Sequence, residues 1–238
     1  MTTTRFDPDV LTTFAEVATS LYASEVLDEA LGRLSAAAVR LIDGCDMASV
    51  SLLDRGTIRT VGATSKVAEQ GDLIQYDTGQ GPCLEAATEQ RLVYTPDLTA
   101  DGRWPEFSKR VSAELEVCSM LACRLQVRRD RGEVVLGALN MYALAPEAFS
   151  DDDTLVAVLL ASHSSVVIDA SLRQDSLRSA MESRDVIGQA KGILMERYKI
   201  SQEDAFGRLH TASQSMNRKL RDLAELVATT GEDVTRRA

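Results

Sequence analysis

The chain has 238 residues, of which 45% are hydrophobic, 26% charged and 5% aromatic. That length fits one large domain or two small ones at about 100–200 residues per domain, and the apolar share is too high for a disordered chain. No apolar run reaches the roughly 18 residues of a membrane helix, residues 1–9 lack a basic segment followed by an apolar core, and the net charge is −10, so the expectation is a soluble, cytoplasmic protein.

The first forty residues read as helices. Leu11, Phe14, Val17, Ala18 and Leu21 recur at helical spacing, then Leu27, Leu31, Leu34, Ala38 and Leu41, with Ser24 placed to cap the second set. Short apolar runs from Met47 to Leu53 and Thr57 to Ala63, punctuated at Arg55-Gly56, predict a hairpin. A loop is expected around Gln75 to Pro82, with Pro82 opening a helix through Cys83, Leu84 and Ala87. Leu92 to Thr95 reads as a strand, Asp97 to Pro105 as a turn-rich connection, and Glu106 to Glu116 as a helix. Val117 to Val127 and Val134 to Tyr142, joined at Arg128 to Gly132, predict a second hairpin.

From Asp151 to about Tyr198 there is no proline, and Leu155, Leu159, Val166, Ala170, Leu177 and Met181 form the stripe of a long helix or coiled coil. Two readings are open for the first half, a helix folded back on its own sheet or a seam. For the second half a dimer seam is expected. Beyond it, Ser201-Gln-Glu-Asp204 is a capping-box-like start, and Ala205, Leu209, Ala212 and Met216 line one helical face. Asn217 can cap a third helix carrying Leu220, Leu223, Ala224 and Val227, with Gly231 as its stop. With Ile187, Ala190, Leu194 and Tyr198 on the preceding helix, these make a three-helix bundle.

Several side chains invite chemistry. Gly79-Gln-Gly81 lacks the third glycine of a dinucleotide loop, since Leu84 stands there, and has no Walker lysine, so turn geometry accounts for it. Cys83, beside Pro82 at a helix start, has two readings: a thiol of lowered pKa that senses oxidants, or a small hydrophobe. Cys45, Cys83, Cys118 and Cys123 form no CxxC pair, and the chain has two histidines, so neither zinc nor another metal is expected. His163 reads as a satisfied or solvated histidine, and Asp151-Asp152-Asp153 as acidic residues favouring a helix dipole. No catalytic triad or carboxylate pair emerges, so no catalytic residue, enzyme activity or cofactor is expected.

The charge is unevenly placed. From Arg184 to Arg221 there are eight Lys/Arg and four Asp/Glu, a net +4, which leaves the rest with 18 Lys/Arg against 32 Asp/Glu, or −14. Such asymmetry suggests an interaction module joined to a separate sensor or scaffold. Lys191 aligns with Ile187 and Leu194, so its stem follows the apolar edge while its ammonium reaches water. Arg218, Lys219 and Arg221 crowd the start of the last helix, where the dipole disfavours cations. An external polyanion would explain them, and a solvated basic face is the alternative.

Arg184-Asp-Val-Ile-Gly-Gln-Ala-Lys-Gly-Ile-Leu-Met195, followed by Ser201 to Met216 and Asn217-Arg-Lys-Leu220, resembles an ANTAR domain. The resemblance implies a three-helix module that binds RNA stem-loops in nascent transcripts, prevents terminator formation and works as a dimer. Gly79-Gln-Gly-Pro-Cys83, Asp101-Gly-Arg-Trp-Pro105 and Gly137-Ala-Leu-Asn-Met-Tyr142 leading to Phe149-Ser150 resemble a GAF domain. That resemblance implies an α/β sensor with a central antiparallel sheet that binds a small ligand or dimerises. Met141 follows Asn140 and no Asp-Glu pair follows Phe149, which departs from the cyclic-nucleotide pattern and leaves the ligand unknown.

The resulting expectation is an α+β chain: a GAF-like sensor over 8–170, a long linking helix, and an ANTAR three-helix bundle over 171–230. Carried onto this sequence, the RNA surface comprises Gln189, Lys191, Arg208, Ser213, Asn217, Arg218 and Lys219. Cations would contact phosphates, while Gln189, Ser213 and Asn217 could read splayed bases. Asn217 has capping as a rival or additional role. Signal binding at the sensor is expected to alter dimer geometry through residues 154–190. The alternatives are a ligand-sensing scaffold whose basic helices bind an acidic protein without RNA, and a DNA-binding regulator.

Overall fold

The computed structural model describes residues 27–54, 56–130 and 132–232, together with Thr12 and Thr19. The expected helix of Leu11 to Leu21 and the Ser24 cap lie outside the described residues. The chain forms two compact units, Met1–Ser171 and Leu172–Ala238.

In the first unit, β1 (Met47–Asp54), β2 (Thr57–Val61), β3 (Leu92–Thr95), β4 (Ser119–Arg129) and β5 (Gly132–Ala143) form one sheet in the order β2-β1-β5-β4-β3. Every pairing is antiparallel, with both predicted hairpins present. The helices are α1 (Leu27–Leu41), α2 (Lys66–Thr78), α3 (Pro82–Thr88), α4 (Pro105–Leu115) and the start of α5 (Asp151–Tyr198). Strand alternation assigns them to faces. Thr60 on β2 donates to Asp72 of α2, whereas its neighbour Arg59 pairs with Asp28 of α1. Successive strand residues point oppositely, so α1 and α2 cover opposite faces. Met120, Ala122, Ala138 and Tyr142 pack beneath α2 to α4 with Ile74, Cys83, Phe107 and Val111.

Helix α2 corrects the sequence reading, which places a loop from Gln75. Ser65 caps it, accepting the Ala68 N–H at 3.2 Å, and it runs to Thr78. Its inward face carries Gly71, Asp72 and Gln75 beside Ala68 and Ile74. Polar residues on the buried side erase the apolar stripe by which a helix is recognised. The glycines after it behave as expected of a turn. Gly79 ends α2 at φ 65°, and a Cβ on Gly81 (φ 136°) would lie 2.3 Å from Gln75 Oε1.

The first half of α5 folds against its own sheet. Val156, Ala157, Leu160, Ala161 and Ile168 are buried, Ser165 Oγ accepts the Gln126 N–H at 2.9 Å, and Arg129 pairs with Asp169. The predicted stripe nevertheless faces outward: Leu155, Leu159 and Val166 are 40%, 42% and 55% exposed. Two apolar faces on one helix make α5 long and apolar enough to cross a membrane by length and composition, contrary to the sequence reading, and half of its most apolar window is buried in the fold. Ser150 and Asp153 cap its start reciprocally, Ser150 Oγ accepting the Asp153 N–H and Asp153 Oδ2 accepting the Ser150 N–H.

In the second unit the end of α5 packs with α6 (Gln202–Ser215) and α7 (Leu220–Thr230). Ala190, Leu194, Ala205, Leu209, Ala212, Leu223, Ala224 and Val227 are its buried core. Ser201 Oγ accepts the Asp204 N–H at 3.1 Å, and Gly231 ends α7 at φ 68° with its carbonyl held by Arg197 Nη2 at 2.7 Å. Leu177 and Met181, the lower end of the predicted stripe, are each 68% exposed.

Candidate functional site

Asn217 does not cap the last helix. The N-cap of α7 is Lys219, and Asn217 adopts a left-handed φ of 49° immediately after α6. Its N–H reaches Gln214 O at 3.3 Å while the Arg218 N–H reaches Ser213 O at 3.1 Å. This paired closure terminates the preceding helix, and asparagine is among the few residues with a side chain that tolerate the conformation. Ser213 Oγ donates to Arg218 O at 2.6 Å, so its proton is committed and it offers a partner only lone pairs. Arg218 and Lys219 are exposed and make no ion pair among the described residues, whereas Arg221 binds Glu182 Oε2 at 3.2 Å. The α6–α7 junction therefore gathers Ser213, Asn217, Arg218 and Lys219.

The other three candidate residues do not share one face. Gln189 is exposed and Lys191 half-buried, about 160° apart around α5 at roughly 100° per residue. Arg208 is turned about 140° from Ser213 on α6, and its guanidinium lies 4.5 Å from the centroid of the Tyr198 ring. Sequence reasoning missed a neighbouring aromatic pair. Phe206, 42% exposed, and exposed His210 stack with centroids 6.2 Å apart and planes at 24°. Their four-residue separation was the available signal.

The interior of the first unit holds a different site. Asp72, fully buried on α2, accepts Thr60 Oγ1 and Asn140 Nδ2, each at 2.8 Å, and the Tyr142 hydroxyl. Tyr142 in turn accepts Gln75 Nε2 at 3.1 Å, and Gln75 Oε1 accepts the Cys83 N–H at 2.8 Å at the start of α3. Asn140 Nδ2 and Cys83 Sγ both reach Ser51 Oγ, which meets Tyr76 Oη at 2.6 Å. All the donors to Asp72 are neutral. Burial therefore pushes its carboxyl up to about 6, against the opposing pull of hydrogen bonds from Tyr142, Thr60 and Asn140. Burial and then the Asp72 charge raise Cys83 to about 12, which removes the low-pKa thiol reading. The same causes raise Tyr76 and Tyr142. Asn140 Oδ1 finds no partner among the described residues.

Beside this network the Asp101 to Pro105 segment is locked from outside. Arg103 binds Asp101 Oδ2 at 2.6 Å and Tyr94 O at 3.0 Å, and its guanidinium lies 4.1 Å from the Trp104 ring centroid. The Arg103 hydrogen bond holds Asp101 below the usual carboxylate range. An open cleft of about 570 Å³ lies between this segment and α4, lined by Leu98, Asp101, Pro105, Ser108, Lys109 and Ser112. Among the described residues no group of three His, Cys, Asp or Glu side chains is placed to hold a metal ion.

A GAF domain family model matches residues 24–169, more than half of the chain. The chain belongs to the GAF domain family. An ANTAR domain model matches residues 175–227, so the GAF domain is followed by an ANTAR domain. Both are regulatory domains. Among solved structures, the chain is similar to the GAF domain of Acinetobacter phosphoenolpyruvate-protein phosphotransferase, with TM-score 0.54 and 17% identity, covering 71% of this chain and 97% of that one. It is also similar to the GAF domain of a phosphoenolpyruvate-protein phosphotransferase from Coxiella burnetii (TM-score 0.51, 15% identity, covering 70% and 96%). A third is the free methionine-R-sulfoxide reductase of Neisseria meningitidis in complex with its substrate (TM-score 0.52, 13% identity, covering 71% and 96%). At these identities the likeness establishes the fold alone. No curated protein matches the chain by sequence.

Proposed function

We propose that the chain is a non-enzymatic, signal-responsive transcription antitermination regulator that binds RNA stem-loops through its ANTAR domain under control of the GAF sensor. The observation that carries this reading is the α6–α7 junction, where Arg218 and Lys219 stand without ion pairs among the described residues beside the left-handed Asn217. Phosphates would neutralise the two cations, and Asn217 would reach an unpaired base. Gln189, Lys191, Arg208 and Ser213 complete the proposed RNA surface, with Lys191 and Arg208 supplying charge from its margins. The domain limits, 8–170 and 171–230, are supported by the division after Ser171 and by the two family matches.

The regulator is further proposed to act in the cytoplasm as a homodimer. Leu155, Leu159, Val166, Leu177 and Met181, all large, apolar and exposed, support a seam along α5. A signal bound by the sensor would act through its differential affinity for two states of that dimer.

The test is binding to a pool of structured RNAs by the wild-type chain and by the Lys191→Ala, Arg218→Ala, Lys219→Ala triple variant, with oligomeric state measured in parallel. Stem-loops enriched by the wild type and lost by the variant are the expected result. A chain that enriches no stem-loop at any salt concentration, as an acidic-protein binder would behave, refutes the RNA reading.

A further inference from the structure

Phe206 is large, apolar and 42% exposed, and it is absent from the bundle core that Ala205 and Leu209 enter on either side of it. A helix gains little from leaving such a ring in water. Its one aromatic contact among the described residues is His210, exposed and stacked against it at 6.2 Å, so the pair forms a patch at the surface rather than a plug. The position of that patch gives it meaning. At about 100° per residue, Phe206, His210 and Ser213 fall within an arc of about 60° on α6. That line ends at Asn217 and at Arg218 and Lys219, which make no ion pair among the described residues, and the axis from Phe206 to Met216 is about 15 Å long at 1.5 Å per residue. Exposed Glu203 and Gln202 bound the line at its other end.

Aromatic faces beside a cationic track are the means by which proteins hold single-stranded nucleic acid, because every base offers a π-face and every linkage a negative charge. The geometry points to Phe206 and His210 as a stacking platform for an unpaired nucleobase of an RNA loop, whose adjoining phosphates lie against Arg218 and Lys219. This inference rests on the RNA-binding reading above and adds to it the place where a splayed base is held. Charge complementarity selects the occupant: the patch continues into Arg218 and Lys219, two adjacent exposed cations that make no ion pair among the described residues, and a duplex would bury its bases away from an aromatic face.

The experiment uses the full chain and a hairpin that the wild type enriches from the structured-RNA pool, with 2-aminopurine placed at each loop position in turn. Phe206→Leu is expected to weaken binding about tenfold with an unchanged dependence on salt. It should also abolish the fluorescence change at one loop position. Phe206→Trp, which keeps an aromatic face, retains both. Lys219→Gln behaves oppositely, lowering the salt slope by about one while preserving the fluorescence change. His210→Gln leaves Phe206 in place and is expected to weaken binding severalfold, which carries the test if Phe206→Leu unfolds the bundle. Wild-type affinity and fluorescence in Phe206→Leu and His210→Gln, with binding lost in the Lys191→Ala, Arg218→Ala, Lys219→Ala triple variant, would overturn the platform and leave the RNA reading standing. A wild-type chain that enriches no hairpin overturns both.

Discussion

The two units of this chain place their polar groups in opposite ways. The GAF unit has buried Asp72, Asn140, Gln75, Ser49 and Ser51 beneath α2 and surrounds them with a full sheet core. The ANTAR unit has a thin core in which Ala190, Ala205, Ala212 and Ala224 alternate with Leu and Val, and apart from the buried Tyr198 hydroxyl it leaves most of its amides, hydroxyls and cations at the surface. Small core residues let helices approach closely, so most of each helix surface stays available. A sealed polar interior and an open polar surface are the arrangements that the proposed sensor and the proposed RNA-binding module would each need.

The sealing is the easiest part of this contrast to break, and the largest effect is expected in thiol chemistry. Cys45, Cys83 and Cys123 are buried, and burial raises each to about 12. Cys118, half-buried, lies just outside β4. Because the thiolate is the reacting species, a thiol reagent at pH 8 should modify Cys118 at least about a hundredfold faster than the other three, which should react only on unfolding. Fast modification of Cys83 in the native chain would show that the interior opens.

The buried carboxylate gives the next effect. Asp72 has a folded pKa of about 6 against 3.8 for the unconstrained group, so between these values the native state binds more protons than the unfolded chain. Stability is therefore greatest below about pH 4 as far as this group is concerned, and it falls as pH rises through 6, by roughly 3 kcal/mol in all. Asp72→Asn can still accept from Tyr142 and donate to Thr60, and it carries no charge to desolvate. Urea unfolding from pH 4 to 7.5 should show the wild type losing about 3 kcal/mol relative to Asp72→Asn. Parallel curves for the two proteins would mean that the carboxylate is solvated.

These same polar interiors mark where the sequence stops being legible. The hairpins, the strand Leu92–Thr95, α3 and all three bundle helices follow from periodicity and punctuation, because their buried sides are apolar and helix ends carry Pro82, Ser201 or Gly231. Helix α2 does not, since Asp72 and Gln75 point inward and depend on Asn140 and Tyr142 some seventy residues away. The two faces of α5 are likewise ambiguous in one dimension. The stripe at Leu155, Leu159 and Val166 is real, but the sheet takes the other side, so only tertiary packing separates fold from surface. For the proposed RNA surface the sequence offers residue types but not orientation: Arg208 turns to Tyr198, while Phe206 and His210 lie on the Ser213 side of α6.

Asn217 sharpens the comparison at its smallest scale, because one residue carries both a fold role and a proposed surface role. Its φ of 49° is left-handed and ends α6. Asn217→Gly adopts that conformation without strain, so the bundle should unfold within about 0.5 kcal/mol of wild type. Asn217→Ala forces a Cβ into it at a cost of about 1–2 kcal/mol. If the side chain reads a base, both variants lose hairpin affinity to a similar degree, although only Ala is destabilised, because both lack the amide. If Asn217 serves only to turn the chain, Asn217→Gly binds as wild type and any loss in Asn217→Ala follows its unfolding. Thermal melting and hairpin titration of the two variants separate these outcomes, since the backbone requirement and the amide are removed by different substitutions at a single position.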